Sequence, residues 1–146
     1  MFHSDYKDML ALLIKHDVDF MLVGAYALAH HGVPRYTGDI DFFVRSTPDN
    51  SPRVWHALAE FGAPLDGIDE RYFATPGNHY QIGVSPLRID VLTQISGLRY
   101  EEIRTEQGTL FGLPVRVISK ADYITNKKAS GRPKDLADID FIENGA

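Results

Sequence analysis

Two aspartates at the start of an apolar segment are the residues whose spacing is best suited to chemistry. Asp39 and Asp41 flank Ile40, and the apolar run that follows predicts a strand over residues 40–44. Residues two apart on a strand share a face, so both carboxylates point the same way while Ile40 points into a core. Adjacent carboxylates repel each other unless they share a proton or bind a cation. Oxygen ligands of this kind suit Mg²⁺ or Mn²⁺.

A glycine turn precedes the two aspartates in the sequence. Residues 19–23 predict a buried strand, Gly24 ends it, and residues 25–30 predict a short helix. Glycine lets a ligand approach the backbone closely, and the N–H groups that open a helix attract anions. We therefore expect a nucleotide phosphate to bind at Gly24, Ala25 and Tyr26. Phosphate beside a divalent cation is the arrangement that phosphoryl or nucleotidyl transfer requires.

Arg35 and Thr37 come just before Asp39 and are further candidates for nucleotide binding. Arg35 could hold a phosphate or a carboxylate. It could equally be a solvated loop cation that pairs with a nearby aspartate. The sequence leaves both interpretations open.

Asp90 is a third acid, placed where a charge is unexpected. Residues 87–92 predict a strand, and Asp90 lies between the apolar Ile89 and Val91. A charge inside an apolar strand costs free energy unless it is paired. Two structural roles fit this position, namely a salt bridge with Arg88 or a place at the strand edge facing water.

The C-terminal third of the chain predicts scaffold elements. Residues 100–106 are polar and predict a helix, and residues 109–118 predict a hairpin at the edge of a sheet. Asp135 and Asp138 share one face of the last predicted helix. They are expected to hold nearby cations or a helix cap rather than a metal.

The composition is that of one globular domain over residues 1–146, with 44% hydrophobic and 24% charged residues. The formal charge of −5 gives no general attraction to nucleic acid or to anionic membranes. No apolar run is long enough to span a bilayer, and the N-terminal residues carry charges that a signal peptide lacks. We expect a cytoplasmic protein.

Cysteine and histidine offer no metal site in the sequence. Cysteine is absent, which excludes disulfides and thiolate ligands. The six histidines form no metal-binding pattern. His30 and His31 are adjacent, so they are expected to diverge on a helix.

The glycine turn followed by D-x-D on a strand resembles the polymerase-beta-like nucleotidyltransferase superfamily. The segments VGAYALAHHG (23–32) and PRYTGDID (34–41) are similar to those of its small bacterial members, including the nucleotidyltransferases of toxin–antitoxin and abortive-infection systems. Residues 127–139, which carry two lysines and then RPKDLADI, are similar to the closing segment of these proteins. The chain departs from the pattern at Ala25, where many active members carry Gly or Ser. Any phosphate contact there must come from the backbone.

The resemblance implies a fold and a set of roles. The fold is α/β (α+β), a mixed, largely antiparallel twisted sheet of about five strands flanked by helices. Asp39 and Asp41 would bind two Mg²⁺ or Mn²⁺ ions about 3.5–4 Å apart. Asp90 would be the third ligand, holding the second metal and helping to deprotonate the acceptor. Lys127 or Lys128 could neutralise triphosphate charge, and the resemblance favours Lys128.

The implied activity is transfer of a nucleoside monophosphate from an NTP to an acceptor hydroxyl on a protein, a tRNA or a small molecule, with release of pyrophosphate. Nucleic acid enters this scheme only as the acceptor, and no membrane is involved. The alternative is a catalytically inactive module that binds a partner protein, as in a toxin–antitoxin pair. Ala25 and the short chain favour that alternative. A cognate toxin or antitoxin, or a second copy of the chain, would then complete the site.

Overall fold

Helices and strands alternate along the chain, which the computed structural model describes for residues 1–33, 38–84 and 86–144. In these ranges no helix is both long and apolar enough to cross a membrane. Short 3₁₀ turns lie at Tyr72–Ala74 and Tyr100–Glu102. The other elements are α1 His3–Lys15, β1 Phe20–Val23, α2 Gly24–His30, β2 Ile40–Val44, α3 Asn50–Phe61, β3 Tyr80–Val84, β4 Leu87–Leu92, β5 Thr105–Leu110, β6 Leu113–Ile118, α4 Lys120–Ser130 and α5 Pro133–Asn144.

The strands of the described ranges form one mixed sheet in the order β3-β4-β2-β1-β6-β5. β1 runs antiparallel to β2 and parallel to β6, while β2 runs parallel to β4. β3 and β5 are the edge strands, each antiparallel to its neighbour. The prediction of a mixed α/β sheet flanked by helices is confirmed, with six strands in place of about five.

The core is formed by the central strands and the helices that cover them. Ile40 and Phe42 of β2 are completely buried, as the alternation around Asp41 predicts. The apolar residues of α1 recur at helical spacing, and α1 packs beside α3. Burial of each large apolar side chain contributes roughly 1.5–3 kcal/mol. The fully buried residues of α1 are Tyr6, Met9, Leu10 and Leu13.

A polar network joins β1, β2 and β6 at the end of the sheet remote from the glycine turn. Asp19 accepts hydrogen bonds from Tyr100 at 2.8 Å and from Arg116 at 2.5 Å, and a longer one from Arg45 at 3.4 Å. Burial alone would raise the pKa of Asp19, but these hydrogen bonds outweigh it and lower that pKa. The Asn50 side chain bonds to backbone groups of Asp19 and Arg45 at 2.8–3.0 Å. This network joins the strands at the end of the sheet that lies away from the acids.

The prediction of a helix over residues 100–106 is wrong. Only Tyr100–Glu102 makes a helical turn, and Thr105–Leu110 is the edge strand β5. This segment is polar because most of it faces solvent, so its strand character comes from pairing with β6 rather than from hydrophobic alternation. The predicted hairpin is confirmed. Its turn residues Phe111 and Gly112 have φ values of 53° and 79°, and positive φ at both positions is typical of a tight hairpin turn.

Candidate active site

Asp39, Asp41 and Asp90 lie at the same edge of two neighbouring parallel strands. Asp41 is the register partner of Asp90 across β2 and β4, and Asp39 directly precedes β2. The three carboxylates line one cavity of about 420 Å³, and Gly24 and Ala25 line it too. The structure therefore brings together five of the residues singled out in the sequence.

Asp41 and Asp90 lie close together on the acidic side of this cavity, and their carboxylates repel each other. Burial and the adjacent Asp90 raise the pKa of Asp41 to about 7. A proton on Asp41 would relieve the repulsion between the two carboxylates, and so would a cation. The Oδ1 atom of Asp90 is buried and accepts no hydrogen bond within the described ranges, and its close charged neighbour is the Arg88 guanidinium at 3.0 Å.

Arg88 is a counter-ion that two of the acids share. Its guanidinium lies 3.2 Å from Oδ2 of Asp39 and 3.0 Å from Oδ1 of Asp90. The guanidinium donates both of its hydrogen bonds with Asp90 to the Oδ2 atom, at 3.1 and 3.3 Å. Its contact with Oδ1 is an ion pair without a hydrogen bond. Asp90 therefore forms a salt bridge with Arg88 and also lies beside Asp41.

Gly24 begins α2 directly against the acidic strand. Its φ is +72°, and a Cβ built on it would overlap the carboxylate of Asp41. Val23, the residue before it, is the register partner of Asp41 in β1. Only glycine fits this turn, because any larger residue would be strained by the backbone and would displace the carboxylate.

A cationic wall, formed by Lys127, Arg132 and Lys134, lines the side of the cavity contributed by α4 and α5. The Lys127 side chain is only 14% exposed and lies 3.6 Å from Asp135. Its burial lowers the pKa of Lys127, and the nearby carboxylates of Asp135 and Asp41 oppose that shift. Asp135 and Asp138 of α5 line the cavity as well, so cations and carboxylates alternate on this side. The cations of the wall can bind a polyphosphate.

Asp135 holds two cations of this wall in place through contacts of its side chain. Its side chain is fully buried, accepts a hydrogen bond from Arg132 at 2.7 Å and another from Ser130, and pairs with Lys127. Burial alone would raise the pKa of Asp135, but these partners lower it to about 2. The expectation that Asp135 holds nearby cations is confirmed.

Other residues singled out in the sequence are not brought into the cavity. Lys128 is 61% exposed and lies 3.6 Å from Glu143. Tyr26 follows Ala25 in α2, but its ring packs on Tyr6 and Phe111, with centroids 6.1 and 6.2 Å away. Neither of these side chains is among the described residues that line the cavity. Arg35 and Thr37 lie outside the described residues.

Lys127 lines the cavity, although the sequence favoured its neighbour Lys128 as the residue that neutralises triphosphate charge. Tyr123 precedes Lys127 by one helical repeat of four residues and is 2% exposed, so both lie on the buried face of α4. The Lys127 Nζ atom lies 5.3 Å from the centroid of the Tyr123 ring. The spacing of Tyr123 was thus the signal that distinguishes Lys127 from Lys128.

A smaller recess of about 220 Å³ adjoins the cavity and shares Gly24, Asp41, Lys127 and Arg132 with it. Its outer part offers both apolar and polar contacts, and Asn126 donates a hydrogen bond to the Ser96 carbonyl there at 2.9 Å. The remaining lining residues include Leu92, Gln94, Ile95 and Ser130.

Two solved structures share this fold over their whole length. One is TM1012, a suspected nucleotidyltransferase from Thermotoga maritima, with a TM-score of 0.64 and 13% identity over 100% of this chain and 97% of that one. The other is the lincosamide antibiotic adenylyltransferase LnuA bound to lincomycin, with a TM-score of 0.63 and 12% identity over 100% of this chain and 99% of that one. No protein-family model and no curated protein matches the sequence. The chain therefore has the nucleotidyltransferase fold.

Proposed function

We propose that this chain is a divalent-metal-dependent nucleotidyltransferase, which moves a nucleoside monophosphate from an NTP to an acceptor hydroxyl. One observation carries the proposal: the carboxylates of Asp39, Asp41 and Asp90 line the same cavity as the cationic wall. The fold shared with TM1012 and LnuA supports the same reaction class.

The acidic edge fits a divalent cation by the chemistry of its donors. It offers three carboxylates, a raised pKa at Asp41 and a buried Asp90 oxygen that accepts no hydrogen bond within the described ranges. Asp39, Asp41 and Asp90 would hold Mg²⁺ or Mn²⁺, which prefer such oxygen ligands. The bound cation would supply positive charge to the triphosphate and to the developing charge on the leaving group.

The chain's own residues would position the nucleotide. Lys127 and Arg132 would bind triphosphate oxygens, and the backbone after Gly24 would approach the phosphate because no side chain intervenes there. In the transfer step the acceptor oxygen forms a bond to the α-phosphorus while the bond from that phosphorus to the bridging oxygen breaks. Pyrophosphate leaves with the electron pair, and the acceptor proton passes to the Asp90 carboxylate and then to solvent.

The acceptor hydroxyl could belong to a small molecule, a tRNA or a protein. LnuA modifies an antibiotic, so a hydroxyl of a small molecule is the first acceptor to test. A tRNA end and a protein hydroxyl, the latter in a toxin–antitoxin setting, are the next two. All three acceptors would receive the same nucleotidyl group.

Asp41→Asn tests the proposal because it removes a charge without changing the shape of the side chain. With an α-labelled NTP, Mg²⁺ and panels of small-molecule, tRNA and protein acceptors, the wild-type protein should transfer label and this variant should not. Asp17→Asn is the matched control. Asp17 belongs to another D-x-D pair, its side chain is 95% exposed, and asparagine tolerates its φ of 55°. Label transfer by Asp41→Asn at the wild-type rate would reject the assignment.

A second candidate function is the non-catalytic module that binds a partner protein. The observation that favours it is Arg88, whose guanidinium already pairs with Asp39 and Asp90. Calorimetry with Mg²⁺ and each NTP separates the two candidates. Metal-dependent NTP binding that Asp41→Asn abolishes favours the enzyme, and absence of binding under all these conditions favours the module.

A further inference from the structure

A second polar cluster lies at the end of α2 opposite to Gly24. It consists of His30, His31 and Glu106, whose ligand atoms all lie within 4.8 Å of one another. Within the described ranges this is the one group of three such residues whose ligand atoms come this close, and Asp39, Asp41 and Asp90 are more widely spaced around their cavity. We propose that it is a binding site for a transition-metal dication such as Zn²⁺, separate from the acidic cavity.

The two histidines converge on one carboxylate oxygen. His30 Nε2 lies 2.7 Å from Oε1 of Glu106, and His31 Nδ1 lies 3.7 Å from the same atom. Their rings pack edge to face with centroids 5.0 Å apart. The expectation that these adjacent histidines diverge is wrong, because α2 ends at His30 and both rings turn toward β5.

The tautomer of His31 leaves its inward nitrogen available to a metal. His31 Nε2 lies 2.7 Å from the backbone carbonyl of Ile118. A carbonyl can only accept, so Nε2 carries the proton and Nδ1 of the neutral ring carries the lone pair. Metal-binding histidines are usually oriented by such a bond from the other ring nitrogen. The side chain of His31 is 6% exposed, so this orientation is held by packing as well.

The distances fit a tetrahedral ion after a small adjustment. With bonds of about 2.0–2.1 Å to Zn²⁺, neighbouring ligand atoms lie about 3.3 Å apart. The two distances to the Glu106 oxygen, 2.7 and 3.7 Å, lie on either side of that value. Side-chain shifts of about half an ångström would bring both distances near that value, and the three ligand atoms already lie within 4.8 Å of one another.

The surroundings leave room for the ligands. A Cβ on Gly108 would come within 3.0 Å of the His30 ring, so glycine at this position of β5 makes space for that ring. The Glu106 side chain is 51% exposed, which leaves a side open for water as the fourth ligand. Two neutral imidazoles, one carboxylate and one water form a donor set that suits Zn²⁺.

The two sites should select different cations. Imidazole nitrogens favour Zn²⁺, Ni²⁺, Cu²⁺ or Co²⁺, whereas a cluster of carboxylates favours Mg²⁺ or Mn²⁺. None of His30, His31 and Glu106 is among the described residues that line the acidic cavity. Binding at the histidine cluster can therefore be measured with the acidic cavity saturated by Mg²⁺.

Calorimetry tests the site by titrating the full chain with Zn²⁺ in the presence of excess Mg²⁺. Co²⁺ serves as a second probe, because imidazole ligation changes the visible d–d bands of this ion. The wild-type protein should bind one equivalent. Glu106→Gln, on an exposed side chain, and His30→Gln should each weaken binding at least about tenfold. Circular dichroism verifies that both variants are folded, and neither alters the buried His31.

His56→Gln is the matched control, since His56 pairs with Glu70 at 3.2 Å but belongs to no such group of three among the described residues. His56→Gln and Asp41→Asn should both bind Zn²⁺ as the wild-type protein does. The proposal is overturned if the wild-type protein binds no Zn²⁺, if Glu106→Gln and His30→Gln bind it unchanged, or if Asp41→Asn abolishes binding. The last result would assign the Zn²⁺ to the acidic cavity.

Discussion

A Cβ on Gly24 would overlap the carboxylate of Asp41. The first residue of α2 and the central acid of β2 are therefore packed directly against each other. Backbone N–H groups and a carboxylate meet here without an intervening side chain. This contact sets the distance between the expected phosphate site and the expected metal site.

Gly24→Ala should abolish nucleotidyl transfer and destabilise the fold, because the new methyl group displaces Asp41 and the backbone must hold a φ of +72°. Gly62→Ala separates these two effects. Gly62 has a φ of +94°, and a Cβ added to it would meet no other atom within 4 Å, so this substitution should cost about 1 kcal/mol of unfolding free energy and leave transfer unchanged. Urea unfolding and label transfer measure both quantities. Equal transfer by the two variants would contradict the role of the close contact.

Lys127→Met should raise the KM for NTP at least about tenfold, because it removes a cation from the cavity wall. Lys128→Met removes the same charge one residue later, where the side chain is 61% exposed and pairs with Glu143. It should leave the KM unchanged. Steady-state kinetics at saturating Mg²⁺ compare the two. A larger effect from Lys128 would show that α4 presents its other face to the nucleotide.

Arg88→Met should destabilise the metal-free protein by about 2 kcal/mol, because the guanidinium that lies within 3.2 Å of Asp39 and Asp90 is removed. Addition of Mn²⁺ should raise its melting temperature more than that of the wild-type protein, since the cation no longer competes with a guanidinium. Arg71→Met is the control, as Arg71 is 87% exposed and pairs only loosely with Asp69 at 3.6 Å. Equal Mn²⁺-induced shifts in all three proteins would disprove the competition.

Asp135→Asn should lower the free energy of unfolding by about 2 kcal/mol at neutral pH, with the loss shrinking as the pH falls. Burial opposes ionisation of Asp135, but Arg132 and Ser130 lower its pKa from the ordinary 3.8 to about 2. A pKa that is lower in the folded state stabilises the fold above the unfolded pKa, and this contribution is lost as the pH falls from about 4 to about 2. Asp140→Asn, at an exposed position of the same helix, should change little at any pH. A deficit in Asp135→Asn that is independent of pH would contradict the electrostatic origin.

The sequence could predict those parts of the fold that depend on local alternation. Ile40 and Asp41 point to opposite faces because a strand has a period of two, and this holds whatever packs around it. Gly24 could be placed at a turn because it stands between a buried strand and an amphipathic helix. The proximity of Asp90 to Asp41 followed from the family resemblance rather than from spacing, since β2 and β4 are far apart in the chain.

The features that the sequence did not yield depend on tertiary contacts. β5 is recognisable as a strand only through its pairing with β6, because its own residues are polar on both faces. The convergence of His30 and His31 depends on where α2 ends and on Glu106 in a strand far along the chain. Metal binding by Asp39, Asp41 and Asp90 stays a prediction.

The network around Asp19 and the acidic cavity occupy opposite ends of β1 and β2. What keeps these strands paired is therefore spatially separate from what would perform the reaction. Under the proposed function, substitutions at positions 39, 41 or 90 would remove the activity while the Asp19 network stays in place. The same architecture could then persist in descendants without the acids and serve other uses.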